Sequence, residues 1–145
     1  MQLVSLAHKL CDEGRAAEAE DLARSLLAQA PNLPSAVVVL ARARAQQGDL
    51  EQARGFLEQV VARNPAFFTA HRWLAEVLVA IGDYARASEV LVRAEAISPG
   101  QQRVAELIQV VMGAPREGPG PGQAPVAVQS ALARVNPLPA ASSRV

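Results

Sequence analysis

His8, Cys11 and Asp12 are the residues whose types and spacing come closest to a chemical site in this sequence. Spacings of three and four residues place side chains on one face of a helix. A histidine beside a cysteine could form a thiol–base pair, and with Asp12 it could form part of a metal site. Because no fourth ligand or orienting group accompanies them, we predict no catalytic residue and no metal site here, and we interpret the three as lining a groove or as half-buried surface.

Other chemical groups are sparse. Glu76 has no pocket signature around it in the sequence, and we interpret it as a solvated or groove-facing charge. The regularly spaced glycines do not form a phosphate-binding loop, because each is explained by a turn between helices. The sequence therefore predicts no cofactor and no enzyme activity.

The elements that must position these residues repeat every 34 residues. Five series keep this spacing three times: Leu6, Leu40 and Leu74; Ala7, Ala41 and Ala75; Gly14, Gly48 and Gly82; Ala19, Ala53 and Ala87; Pro31, Pro65 and Pro99. Three copies of one period indicate a repeat architecture in which each unit packs only on its neighbours.

Each repeat divides into two helices. A glycine ends the first helix, and Asp49 and Asp83 can cap the start of the second, whereas Arg15 replaces this aspartate in the first unit and predicts a weaker cap. Proline then ends the second helix. We predict helices at about 2–13, 16–29, 35–47, 50–63, 69–81 and 84–97, with an amphipathic capping helix at 100–113 that carries Val104, Leu107, Ile108 and Val111 on one stripe. Leu6, Leu40, Leu74, Leu26, Leu57, Val60 and Leu91 should fill the layers between helices.

The alanine, glycine and proline series resemble the tetratricopeptide repeat (TPR) family over residues 1 to about 100. The resemblance implies an all-α fold, a right-handed superhelical solenoid of three helix-turn-helix repeats at about 1–33, 34–67 and 68–101, completed by the capping helix. His71 and Arg44 depart from the pattern, because the family favours large apolar residues at both positions. Trp73 lies two residues beyond the usual tryptophan position.

Composition agrees with a helical stack and limits the setting. Half of the residues are hydrophobic but only 3% are aromatic, and the formal net charge is zero. Acidic and basic residues are interleaved, so we predict no nucleic-acid partner. No apolar run reaches the roughly 20 residues of a membrane helix, and one cysteine cannot form an internal disulfide, so we predict no membrane insertion and a cytoplasmic location.

The resemblance also implies a partner-binding groove on the concave side, lined by the first helix of each unit. Its residues are Val4, His8, Val38, Arg42, Gln46, Arg72, Trp73, Glu76 and Val79. Lysines and asparagines clamp acidic chaperone tails in some family members, but Val4, His8, Val39, Thr69 and Trp73 stand at most of those positions here. We therefore expect an apolar or amphipathic peptide, with Arg42 and Arg72 orienting a carboxylate and Trp73 either anchoring the peptide or packing within the domain.

Residues 114–145 form a separate Pro- and Gly-rich linker and tail, with a possible short helix at 126–135. We expect this tail to dock on exposed apolar area at Val38, Val39, Trp73 and Val79, in the same molecule or in another copy. The resulting interpretation is a non-enzymatic adaptor or chaperone-like scaffold, with type III secretion chaperones as one bacterial branch of suitable size. The alternative is a structural, self-assembling subunit that docks through the ends of its solenoid or through its tail.

Overall fold

The computed structural model describes residues 2–113, which form seven α-helices and no strand. The helices are α1 (Gln2–Asp12), α2 (Ala16–Gln29), α3 (Pro34–Gln46), α4 (Leu50–Arg63), α5 (Phe68–Ile81), α6 (Tyr84–Ile97) and α7 (Gln102–Gly113). Each bound lies within two residues of the predicted one. The predicted linker and tail at 114–145, with the possible helix at 126–135, lie outside the described residues.

Turn chemistry explains why the helices begin and end where they do. Gly48 and Gly82 have φ angles of 92° and 97°, a left-handed conformation that side chains disfavour, so glycine is required at these helix ends. The next residues, Asp49 and Asp83, each accept a backbone N–H bond of 3.2 Å from the residue three positions later. Arg15 makes no cap bond and instead pairs with Glu18, which confirms the weaker start of α2.

The helices pack as a solenoid whose layers are filled by alanines and leucines. α3 contacts α1, α2, α4 and α5, so its buried residues join the two hydrophobic clusters of the domain. Ala7, Ala41 and Ala75 are fully buried, which lets neighbouring helix backbones approach closely. α7 covers the third unit with buried Val104 and Leu107, and Ile108 and Val111 pack beside them, as predicted for the cap.

Leu6 was predicted to lie in the core, and this prediction is wrong. Leu40 and Leu74 are buried, whereas Leu6 is 46% exposed although it occupies the same position of its repeat. The reason is that no described helix packs on that side of α1. Leu26 is also only partly buried, because it lies at the outer edge of the first unit.

None of the helices in this part of the chain is long and apolar enough to cross a membrane.

Candidate functional site

Polar side chains from α1, α3, α5 and α7 meet across the domain. We call them the polar row; its members are His8, Asp12, Arg42, Arg72, Trp73, Glu76, Arg103 and Glu106. The four helices that carry them lie side by side, because α3 contacts α1 and α5, and α5 contacts α7. The row therefore crosses all three repeats and the cap.

Arg42 joins the first two repeats. Its Nη1 donates to Nδ1 of His8 at 2.9 Å, and its Nη2 donates to Oδ1 of Asp12 at 2.8 Å. Because a guanidinium has no acceptor, Nδ1 of His8 must be unprotonated and the ring proton of the neutral imidazole lies on Nε2. Arg42 is thus paired within the molecule, and its side chain is almost completely buried.

Burial and these contacts determine the protonation states of His8 and Cys11. Burial and, secondly, the Arg42 charge lower the pKa of His8 to about 4, although Asp12 acts in the opposite direction. Burial raises the pKa of the Cys11 thiol to about 11, so little thiolate exists at neutral pH. Cys11 has no exposed surface, and its carbonyl accepts a 2.6 Å bond from Nε2 of Gln46. The cluster holds α3 against α1.

Residues 2–113 contain no group of three or more His, Cys, Asp or Glu side chains arranged to hold a metal ion.

Trp73 is covered by two arginines. The Cζ atoms of Arg42 and Arg72 lie 4.0 Å and 4.3 Å from the centre of its ring, both within cation–π distance. Its side chain is 4% exposed and belongs to the larger hydrophobic cluster. Packing within the domain, one of the two interpretations of this residue, is therefore present, and anchoring of a peptide stays a prediction.

The expectation of exposed apolar area in the groove is wrong. Val38, Val39 and Val79 are buried as completely as Trp73, and Val4 is nearly so. Their helices pack too closely for the valines to reach the surface, and the longer arginine side chains cover the ring. The surface above them is polar.

At the other end of the row, Glu76 is held by α7. Its side chain is 1% exposed and accepts two bonds from Arg103, from Nε at 2.7 Å and from Nη2 at 2.8 Å. Nη1 of Arg103 also donates to Glu106 at 3.0 Å. Two parallel bonds of this kind fix both position and orientation of a carboxylate.

Sequence reasoning missed Arg103 and Glu106, because α7 was interpreted only as a cap. The signal that could have found Arg103 was the period itself, since this residue lies 34 positions after Thr69 and 68 after Ser35. A fourth copy of the register would have placed it beside the other groove residues.

Arg72 is the least compensated charge of the row. Its nearest carboxylate oxygen, Oε2 of Glu76, is 3.6 Å from Nη2, which is longer than a hydrogen bond. Its Nε is buried without a partner among the described residues, although the side chain as a whole is 26% exposed. Burial lowers the pKa of Arg72, and the Glu76 charge acts against this.

The predicted groove residues therefore fall into three groups. His8, Arg42, Arg72, Trp73 and Glu76 belong to the polar row, Gln46 bonds the α1 backbone, and Val4, Val38 and Val79 lie in the core beneath.

Comparisons with known proteins agree with this fold. The tetratricopeptide repeat family model matches residues 10–67 and 45–110. No curated protein matches the chain.

Solved structures with a similar fold include proteins of several kinds. The first TPR of Spaghetti, bound to an HSP90 peptide, is 17% identical with a TM-score of 0.68, and the match covers 76% of this chain and 87% of that one. The type III secretion translocator chaperone SycD of Yersinia enterocolitica is 19% identical with a TM-score of 0.65, over 77% of this chain and 81% of that one. A variant of the Thermobaculum terrenum O-GlcNAc transferase is 25% identical with a TM-score of 0.73, over 92% of this chain but only 25% of that one.

The two matches to the family model together extend over more than two thirds of the sequence. They include the turns at Gly48 and Gly82, between the two helices of the second and third repeats, and the buried alanines of the layers. On this evidence the chain belongs to the tetratricopeptide repeat family.

Proposed function

We propose that this protein is a non-enzymatic interaction module that binds a segment of a partner protein across the concave surface formed by α1, α3, α5 and α7. The partner segment is acidic or amphipathic, and one of its carboxylates pairs with Arg72. The observation that carries the proposal is Arg72 itself. Its side chain is partly exposed, its buried Nε has no hydrogen-bond partner among the described residues, and its nearest carboxylate, Glu76, lies 3.6 Å away.

The other residues of the predicted groove support this contact. The Trp73 ring holds the Arg72 guanidinium by a cation–π contact, and Glu76 is bonded to Arg103, so Glu76 does not neutralise Arg72 fully. His8 is partly exposed and can offer its Nε2–H to a second acceptor. We assign Val4, Val38, Gln46 and Val79 to shaping the floor beneath the ligand, because all four are buried.

The related structures support a protein or peptide as partner. One is described as bound to an HSP90 peptide and another as a translocator chaperone. We extend this class of partner to the present chain, and the scattered charges of the sequence favour it over nucleic acid. A cytoplasmic location stays a prediction from the sequence.

The test uses acetylated, amidated peptides in which glutamate alternates with leucine, and matched peptides in which glutamine replaces glutamate. Trp73 is the only tryptophan of the chain, so its fluorescence reports events at Arg72 directly. The glutamate peptides should bind and the glutamine peptides should bind at least tenfold more weakly, since a charge-assisted hydrogen bond contributes about 1.5–3 kcal/mol.

Arg72→Gln should remove this preference, whereas Arg93→Gln, at an exposed arginine of α6, should leave it intact. Binding that is equal for wild type and Arg72→Gln, or an absence of binding by every peptide, would refute the proposed site.

The alternative of a self-assembling subunit is favoured by a different observation, the exposed leucines of α1. They lie apart from the polar row and are treated next.

A further inference from the structure

The first helix carries an apolar stripe on its outer side. Leu3 is 51% exposed and Leu6 is 46% exposed, and Leu10, which continues the stripe at helical spacing, is partly buried. Leu3 and Leu6 are among the few large apolar side chains of residues 2–113 with such exposure, and they lie one turn apart.

The same positions are covered in the later repeats. By the 34-residue register, Leu6 corresponds to Leu40 and Leu74, which are both buried. Leu10 corresponds to the buried Leu78 in the third repeat and to Arg44 in the second, whose side chain is 26% exposed. In these repeats the first helix packs on the second helix of the preceding unit, α3 on α2 and α5 on α4. The stripe on α1 is therefore the surface that receives a second helix, and it has none in the described structure.

Two cavities show the difference. Between the first two repeats a cavity of about 160 Å³ has walls from Leu27 of α2, from Pro31 in the turn after it, and from Val37 and Leu40 of α3. Beside α1 lies a larger cavity of about 370 Å³. It is lined by Gln2, Leu3, Val4, Leu26 and Leu33.

The chain itself contains a segment with the sequence of a second-helix end. Residues 132–141, LARVNPLPAA, match residues 27–36, LAQAPNLPSA, at five of ten positions. Residues 27–36 are the end of α2, the following turn and the start of α3. Val128, Leu132 and Val135 also repeat at the spacing of a helix stripe, between Pro125 and Pro137.

We propose that residues 126–136 of one copy dock as a helix on the Leu3–Leu6–Leu10 stripe of another copy, in the place that α2 takes on α3. The interface continues the packing already present between repeats, with the tail serving as the missing second helix. A helix this short is marginal in isolation, and packing against the stripe would stabilise it.

Distance favours a second copy over the same molecule. Neighbouring packed helices lie roughly 10 Å apart, so α1 and α7, with α3 and α5 between them, are separated by about 30 Å. The twelve residues 114–125 span about 20 Å on average as a Pro- and Gly-rich chain, and they would also have to pass around the outside of the solenoid. Exchange of tails between copies avoids this extension.

The experiment measures the mass of the full-length chain against concentration by analytical ultracentrifugation. The wild-type mass should rise with concentration, and Leu6→Glu or Leu132→Glu should each weaken the association at least tenfold. Val92→Glu is the matched control, because Val92 is 68% exposed on α6. Circular dichroism verifies that each variant is folded.

Mixing the two variants separates docking from general damage. Leu6→Glu retains an intact tail and Leu132→Glu retains an intact stripe, so the mixture should form mixed dimers in which the first supplies the tail to the second. Wild-type association by Leu6→Glu, no mixed dimers, or a chain that stays monomeric at every concentration would overturn the proposal. Because Leu6 and Leu132 are not part of the polar row, peptide binding at Arg72 is tested separately.

Discussion

The two ends of the solenoid differ in the residues that they expose to solvent. α7 buries Val104 and Leu107 against the third repeat and exposes Gln102 and Gln109, with Met112 as an exposed apolar residue near its end. α1 instead exposes Leu3 and Leu6 together. One end is closed by a largely polar face, whereas the other presents a surface that the later repeats bury.

This difference shows that the 34-residue period specifies which type of residue stands at a position, but not whether that residue is buried. Leu6, Leu40 and Leu74 are the same residue at the same repeat position, yet only the last two lie beneath a preceding helix. In a repeat protein each unit is stabilised by its neighbours, so a terminal position is exposed unless another element covers it.

The largest expected effect compares two of these leucines. Leu74→Ala should lower the free energy of unfolding by roughly 2–5 kcal/mol, because it leaves a cavity in a closely packed layer. Leu6→Ala should cost less than about 1 kcal/mol at low protein concentration, since about half of the side chain is already in water. Urea denaturation measures both, and similar losses would contradict the difference between the ends.

Smaller losses of stability are expected when the ion pairs at the two ends of the polar row are changed. Arg103→Met leaves the buried Glu76 without its bidentate partner and should cost about 3 kcal/mol. Asp12→Asn should cost less, about 1 kcal/mol, because the amide oxygen of asparagine can still accept the bond from the buried Arg42.

Thermal denaturation of these two variants at one pH and salt concentration gives the comparison. A greater loss in Asp12→Asn than in Arg103→Met would show that α1, not α7, is the more tightly held end.

The last effect is a pH dependence at the α1 end. The pKa of His8 is lowered from 6.5 to about 4, so between these values the unfolded chain binds a proton that the folded chain does not. Its contribution to stability is therefore complete above pH 6.5 and is lost as the pH falls toward 4. Protonation would also place a charge on His8 next to Arg42, with Asp12 as the nearby carboxylate and Arg72 as a further cation.

His8→Gln should make the fall in melting temperature between pH 6.5 and 4 shallower. An unchanged slope in His8→Gln would assign the pH dependence to other groups.

The arrangement of helices could be predicted because its signals are local. Gly48 and Gly82 stop helices by backbone conformation, and Asp49 and Asp83 start them by accepting nearby amides. Such contacts join residues three to five positions apart, so the types and order of residues are sufficient.

The candidate site was predicted only in part. The 34-residue register predicts that His8, Arg42 and Glu76 lie on one side. It did not indicate that Arg42 would bond to α1 or that Arg103 would pair with Glu76. Those pairs join residues 34 and 27 positions apart. Which partner an arginine selects depends on side-chain conformation and on the distance between packed helices.

The sequence alone therefore determined seven helices, their turns and the 34-residue repetition, because short-range sterics and hydrogen bonds act within each unit. The tertiary structure decided which equivalent residues are buried: it placed Trp73 beneath two arginines, closed the valines into the core and left Leu3 and Leu6 in solvent. The physical reason is that burial depends on the neighbouring helix, and a residue's own position in the repeat does not state whether that neighbour is present.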